Sequence, residues 1–194
     1  MPSATTELPT LMFATPRALE TWLAKNHGQS TGVWLRFAKK GSSQTSVTYA
    51  EALEVALCYG WIDGQKAKGD DETWLQKFTP RSKRSIWSKI NRDKALALIE
   101  AGRMKPSGLR EIERAKEDGR WAAAYDGQRT ATVPDDLAEA LAKNAKARKH
   151  FETLNSVNRY AILFRIANAK KPETRARRIQ QFVDMLARGE VLHP

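Results

Sequence analysis

TYAEALEVALCYG, residues 48–60, runs directly into WIDGQKAKGDDETWLQKFTPR, residues 61–81, and the change of character at Gly60 decides the fold class. Thr48-Tyr49-Ala50-Glu51 has the form of a capping box. In such a box the Thr hydroxyl and the Glu carboxylate each satisfy a backbone donor that the first helical turn leaves unpaired. Behind it, Ala52, Leu53, Val55, Ala56, Leu57, Cys58 and Tyr59 leave little polar surface, which predicts a buried helix. Gly60 then supplies the left-handed residue that stops it. Trp61–Lys68 and Thr73–Phe78 read as two short strands around the turn Gly69-Asp70-Asp71.

Working outward, Thr15-Pro16 announces an earlier helix: a cap residue, then proline at the first helical position, where its missing N–H costs nothing. Leu19, Trp22 and Leu23 form its apolar stripe, and Asn26-His27-Gly28 ends it. Gly32–Ala38 is β-branched and aromatic, a third strand. From about Ser82 onward the pattern is helical, with Trp87, Ile90, Ala97, Leu98 and Ala101 on one predicted face and Leu109, Ile112 and Ala115 on the next. Asp126–Thr132 has turn composition, and Pro134-Asp135-Asp136 opens a further helix with acids where the macrodipole favours them. Two longer helices follow, on the stripes Tyr160, Leu163, Phe164, Ala167 and Ile179, Phe182, Val183, Leu186. The expectation is an α+β chain: a small, mainly antiparallel sheet with packed helices over residues 1–127, then a C-terminal helical region over 134–194.

The 194 residues are 41% hydrophobic and 28% charged, ordinary for a globular protein whose core needs neither disulfide nor metal. One cysteine, Cys58, excludes an internal disulfide. The N-terminus lacks the basic and apolar regions of a signal peptide, and no run of about 18 apolar residues could span a membrane. The expected location is the cytoplasm. Net charge is +11, with 14 cations against 9 acids in residues 1–97 and 19 against 13 in the rest. Such a surface attracts phosphate-rich or acidic partners, small anions and nucleic acid alike.

His27, His150 and His193 have no ligand spacing, so no metal site and no cofactor is expected. No glycine-rich phosphate loop or nucleophile motif is present. Asp63, in Trp61-Ile62-Asp63-Gly64, is the strongest single acid: beside an aromatic wall it would act as a general acid or base, whereas in a turn it would cap backbone or pair with Arg81. Lys77 to Lys94 holds seven cations (Lys77, Arg81, Lys83, Arg84, Lys89, Arg92, Lys94) against Asp93. Arg81, Lys83 and Arg84 fall at the predicted start of the Trp87 helix, where cations need an acid or an anionic ligand as partner. Asp63, Asp70 and Asp71 are the acids at hand. A second basic patch runs from Arg165 to Arg178.

Trp34, Lys39-Lys40, Tyr49–Ala52, Gly60–Gly64, Phe78–Arg81 and Trp87-Ser88 with Asn91, followed by Gly102–Met104, Gly108, Glu173–Arg175 and Arg178-Ile179, together resemble the YdeI/OmpD-associated family of bacteriocin-protection proteins. The resemblance implies a soluble bacterial protein tied to tolerance of bacteriocins or antimicrobial peptides and to outer-membrane stress. It carries over no reaction, cofactor or catalytic residue. The leading expectation is a stress-protection protein that binds an anionic or phosphate-bearing ligand through Trp61, Asp63, Arg81, Lys83, Arg84, Trp87 and Asn91. A nucleic-acid-binding module using both basic patches is the alternative, and an enzyme with Asp63 as acid or base the third.

Overall fold

A computed structural model describes residues 7–194. They divide into two compact units: residues up to Trp87 with Asn91–Ala123, and Ser88–Ile90 with Ala124–Pro194.

The first unit holds a four-stranded sheet in the order β1-β2-β4-β3, from β1 (Thr10–Leu11), β2 (Val33–Ala38), β3 (Trp61–Lys68) and β4 (Thr73–Pro80). The α+β class is as the sequence predicts, and β2, β3 and β4 pair antiparallel. The sheet is nevertheless mixed, because β1 lies parallel to β2. Two residues are too few to show any periodicity, so this edge strand has no sequence signature.

Alternation sets the core. Val33, Leu35 and Phe37 are buried while Trp34, Arg36 and Ala38 are half-buried. Helix α1 (Pro16–Asn26) brings Leu19 and Leu23 against them, and helix α2 (Tyr49–Cys58) adds Ala52, Val55 and Ala56. Leu19, Leu23, Leu35, Ala56, Trp61 and Phe78 close around a gap with no room for water. Each large side chain fully buried here stabilises the fold by roughly 1.5–3 kcal/mol. Both caps form as predicted: the Thr15 side chain accepts from Ala18 N, and Thr48 and Glu51 complete their box.

Helix α4 (Pro106–Glu117) packs on α2 through glycine at two positions. A Cβ on Gly108 would lie 2.4 Å from the Cys58 carbonyl oxygen, and Gly60, at φ +77°, would place one 2.8 Å from Glu111 Cγ. Gly60 therefore ends α2 in the left-handed region and lets α4 approach.

The predicted Trp87 helix is corrected. Ser82–Ser85 is a turn, in which Ser85 N donates to Ser82 O at 3.0 Å, and helix α3 begins only at Lys89 (Lys89–Glu100). Trp87 precedes it, and Ile90 is 55% exposed rather than on a buried face. Arg81, Lys83 and Arg84 thus lie on no helix terminus. Ser82 and Ser85 bond one another and the turn backbone, which competes with helix formation in the way short hydroxyl side chains do.

The second unit is helical: α5 (Asp135–Ala142), α6 (Ala145–Thr153), α7 (Ser156–Ala167) and α8 (Pro172–Ala187). Leu137, Leu141, Phe151, Ile162, Ile166 and Leu186 are among the residues of its core. Helix α6 has no counterpart in the sequence reading, because its nine residues bury only Ala147 and Phe151. Buried Asn158 acts as a backbone mimic. Its Oδ1 accepts from Leu192 N and His193 N, and its Nδ2 donates to His193 O at 2.8 Å. The basic patch of this unit is partly structural: Arg175 and Arg178 donate to the Ile166 and Arg165 carbonyls at the end of α7, where a helix concentrates negative charge. Arg175 also grips Asp136, and that hydrogen bond holds the Asp136 carboxyl below the usual carboxylate range.

Candidate anion-binding site

The predicted site residues separate into two groups. Trp61 is 1% exposed; its indole N–H donates to the His27 carbonyl at 3.2 Å and its ring meets Trp22 edge-on. Trp87 is 2% exposed and packs against Trp121 with ring centroids 4.8 Å apart. The Arg81 guanidinium, 5% exposed, lies 3.5 Å over the Trp87 ring and donates to the Ile86 carbonyl. Arg114 donates to the Arg81 carbonyl, and Arg120, fixed by Asp118, donates to the Ser85 carbonyl at 2.7 Å. Three arginines therefore knit the 81–87 segment together by its own carbonyls. Lys83 and Arg84 are exposed on that turn, and Asn91 is half-buried on α3.

Asp63 belongs elsewhere. Its Oδ2 accepts from the Tyr49 hydroxyl at 2.8 Å, and no ion pair joins it to Arg81. The two partners suggested by sequence for the cation cluster, Asp70 and Asp71, lie at the far end of the hairpin. There Asp70 pairs with Arg36 at 2.7 Å.

On the same face of the sheet as Asp63 the strands assemble a second cation–aromatic group, one that sequence reasoning missed. Cross-strand partners share a face of the sheet. Trp74 faces Phe37 on β2 and Lys68 on β3, Gln76 faces Lys66, and Phe78 faces Asp63. A bulge between Asp63 and Lys66 carries Lys66 and Lys68 onto the Asp63 face, which strict alternation would deny them. Buried Gln76 secures the bulge by donating to the Gly64 carbonyl at 2.7 Å.

Trp74 stacks on Phe37 with centroids 4.7 Å apart and stands 6.2 Å from Tyr49. The Lys66 ammonium lies over the same indole, 4.5 Å from its ring centroid. Lys39, Lys66, Ala67, Lys68, Gly69, Thr73 and Trp74 line a cleft of about 500 Å³. Lys39 is held at its rim by the Asp70 and Asp71 carbonyls, at 2.8 and 3.2 Å. Lys66 and Lys68 form no ion pair among the described residues. The acids nearby are engaged: the Thr73 hydroxyl holds the Asp70 carboxyl low, and the Ser43 hydroxyl does the same to Glu72. The cleft thus sets Trp74 beside the Lys66 and Lys68 ammonium groups, neither of which has an acidic partner among the described residues.

A smaller cleft of about 180 Å³, lined by Glu20, Val55, Cys58, Gly102, Arg103 and Lys105, is closed by its own ion pairs, Lys105–Glu20 and Arg103–Glu54. Burial pushes the Cys58 thiol up, away from a reactive thiolate. Among the described residues no group of three His, Cys, Asp or Glu could hold a metal ion, and no helix is long and apolar enough to cross a membrane.

A small mixed sheet flanked by helices, followed by a helical unit, is the class of architecture on which the comparisons bear. Residues 11–111 match the family described as a domain of unknown function, DUF8412, and the chain belongs to that family. Residues 130–189 match the family described as bacteriocin-protection, YdeI or OmpD-associated. The second match is the family the sequence resembles, found over a C-terminal part of the chain; the Gly60–Gly64 and Phe78–Arg81 motifs fall within the first. No curated protein and no solved structure matches the chain.

Proposed function

We propose that the chain is a cytoplasmic protection protein that binds an anionic, phosphate-bearing ligand at the cleft between β3 and β4. The observation that carries this reading is the pairing of Lys66 and Lys68, both without an acidic partner among the described residues, with the half-buried face of Trp74. Lys39 adds a third ammonium, fixed by two backbone carbonyls. The site differs from the seven residues expected from sequence: Asp63 is not among the residues that line the cleft, and Trp61, Arg81 and Trp87 are buried. The bacteriocin-protection family at residues 130–189 supplies the biological setting. The reading is one of binding, with no reaction assigned to Asp63.

Calorimetric titration with pyrophosphate tests it. The native protein should bind, and the Lys66→Glu/Lys68→Glu variant should lose at least about tenfold in affinity with an unchanged melting temperature, since each lost charge-assisted contact weighs on the order of 1.5–3 kcal/mol. Equal affinity in the two proteins sinks the proposal. Binding of short oligonucleotides that falls steeply with salt, and that survives in the double variant, would favour the nucleic-acid reading instead.

A further inference from the structure

Strand β3 lies at an edge of the sheet. β4 pairs along one side of it, and on the other side no backbone of the described residues hydrogen-bonds to it. Successive residues of a strand direct their N–H and C=O groups to opposite sides, so every second residue here offers a donor and an acceptor to solvent. The far half of the strand is open: Gly64, Gln65, Lys66 and Lys68 are exposed and Ala67 is half-buried. At about 3.4 Å per residue, Gly64 to Lys68 gives a free edge of roughly 17 Å, enough for a short extended peptide.

The side chains decide which peptide. Beyond the bulge Lys66 and Lys68 resume regular pairing, opposite Gln76 and Trp74, and as alternate residues they project from one face. Neither has an acidic partner among the described residues. A strand laid beside β3 would bring its own side chains to within about 5 Å of them, where opposite charges attract and like charges repel. A bulge and edge lysines are the means by which sheets avoid pairing with their own kind. Here they turn away a second copy of this chain, whose edge carries the same two cations on a protein of net charge +11. They do not turn away an acidic strand.

Building on the anion-binding reading of Lys66 and Lys68, we infer that β3 is a docking edge for an extended acidic peptide segment of another protein. The segment adds a strand to the sheet and sets acidic side chains, at alternate positions, against the two lysines. Main-chain hydrogen bonds fix its register, and the lysines select for acid.

The experiment compares blocked hexapeptides by calorimetry: one alternating glutamate and valine, the same peptide N-methylated on every glutamate, the same N-methylated on every valine, and one alternating lysine and valine. Pyrophosphate probes the anion site alone. Native protein should bind the glutamate peptide, and its two methylated forms should differ by at least about tenfold. Methyl groups on one set of residues point into the pairing edge and remove its donors, while those on the other set point to solvent. In Lys66→Glu/Lys68→Glu the preference should reverse, with the lysine peptide bound and the glutamate peptide lost. Methylated forms of equal affinity, or a glutamate peptide that fails to bind while pyrophosphate binds, overturn the inference and leave the anion site standing. Failure of native protein to bind either pyrophosphate or the glutamate peptide overturns the anion site as well.

Discussion

Arg81 over Trp87 and Lys66 over Trp74 are the same chemical pair in two settings. Both place a cation on an indole face, at 3.5 Å and 4.5 Å. In the first the guanidinium is buried, Trp121 packs against the same indole, and the Arg81, Ser85 and Ile86 carbonyls all accept hydrogen bonds from arginines. In the second the ammonium is exposed at the edge of a cleft, with no carboxylate answering it among the described residues. Arginine suits the closed pair because its planar fork can stack and donate to carbonyls at once, whereas lysine keeps a mobile point charge in reach of solvent. Cation and aromatic side by side in sequence therefore say nothing about function until burial is known.

The comparison breaks if the two indoles respond alike to truncation. Trp87→Ala should cost about 3–5 kcal/mol in urea unfolding, the range for a buried aromatic whose cavity cannot collapse. Trp74→Ala, removing a half-buried ring, should cost about 1–2 kcal/mol. Arg81→Ala should fall between the two, at about 2 kcal/mol, through the lost ring contact and the Ile86 carbonyl left without that donor. Lys66→Ala should change stability by no more than about 0.5 kcal/mol while weakening pyrophosphate binding. A Lys66 variant as unstable as the Arg81 variant would erase the distinction.

The smallest effect concerns the rim. Asp70 and Glu72 have carboxyls held below their ordinary values in the folded state, by the Thr73 and Ser43 hydroxyls respectively. A depressed folded value means that the stabilisation is present above the unfolded pKa and is lost as pH falls through the folded one. The hairpin turn should therefore stay intact from neutrality down to the ordinary carboxylate range and loosen below it. Carbon-detected titration of the two side-chain carboxyls checks this; midpoints within the ordinary range would contradict it.

Local signals carried much of the fold. The Thr48–Glu51 box, the apolar run to Gly60 and the turn at Gly69–Asp71 each act over a few residues, and each formed where the sequence put it. Trp87 misled because its spacing to Ile90 and Leu98 mimics a helical face, while the Ser82 and Ser85 hydroxyls hold the chain in a turn. The cleft was hidden for a different reason. Lys66 and Lys68 share the face of Asp63 only through the bulge that Gln76 secures, and a one-residue irregularity reverses every side chain beyond it. Asp63 was visible as a carboxylate at a strand start, but its partner Tyr49, 14 residues earlier, became its neighbour only through the packing of α2 on β3.

Six indole N–H groups give this chain a direct readout of the central claim. Resonances of nitrogen-15-labelled protein would be followed during a pyrophosphate titration. The account predicts that the Trp74 indole and the amides of Lys66 to Gly69 and Thr73 shift with ligand while the Trp87 indole stays fixed. Shifts centred on Trp87 and the Arg81 segment, with Trp74 unmoved, would contradict it.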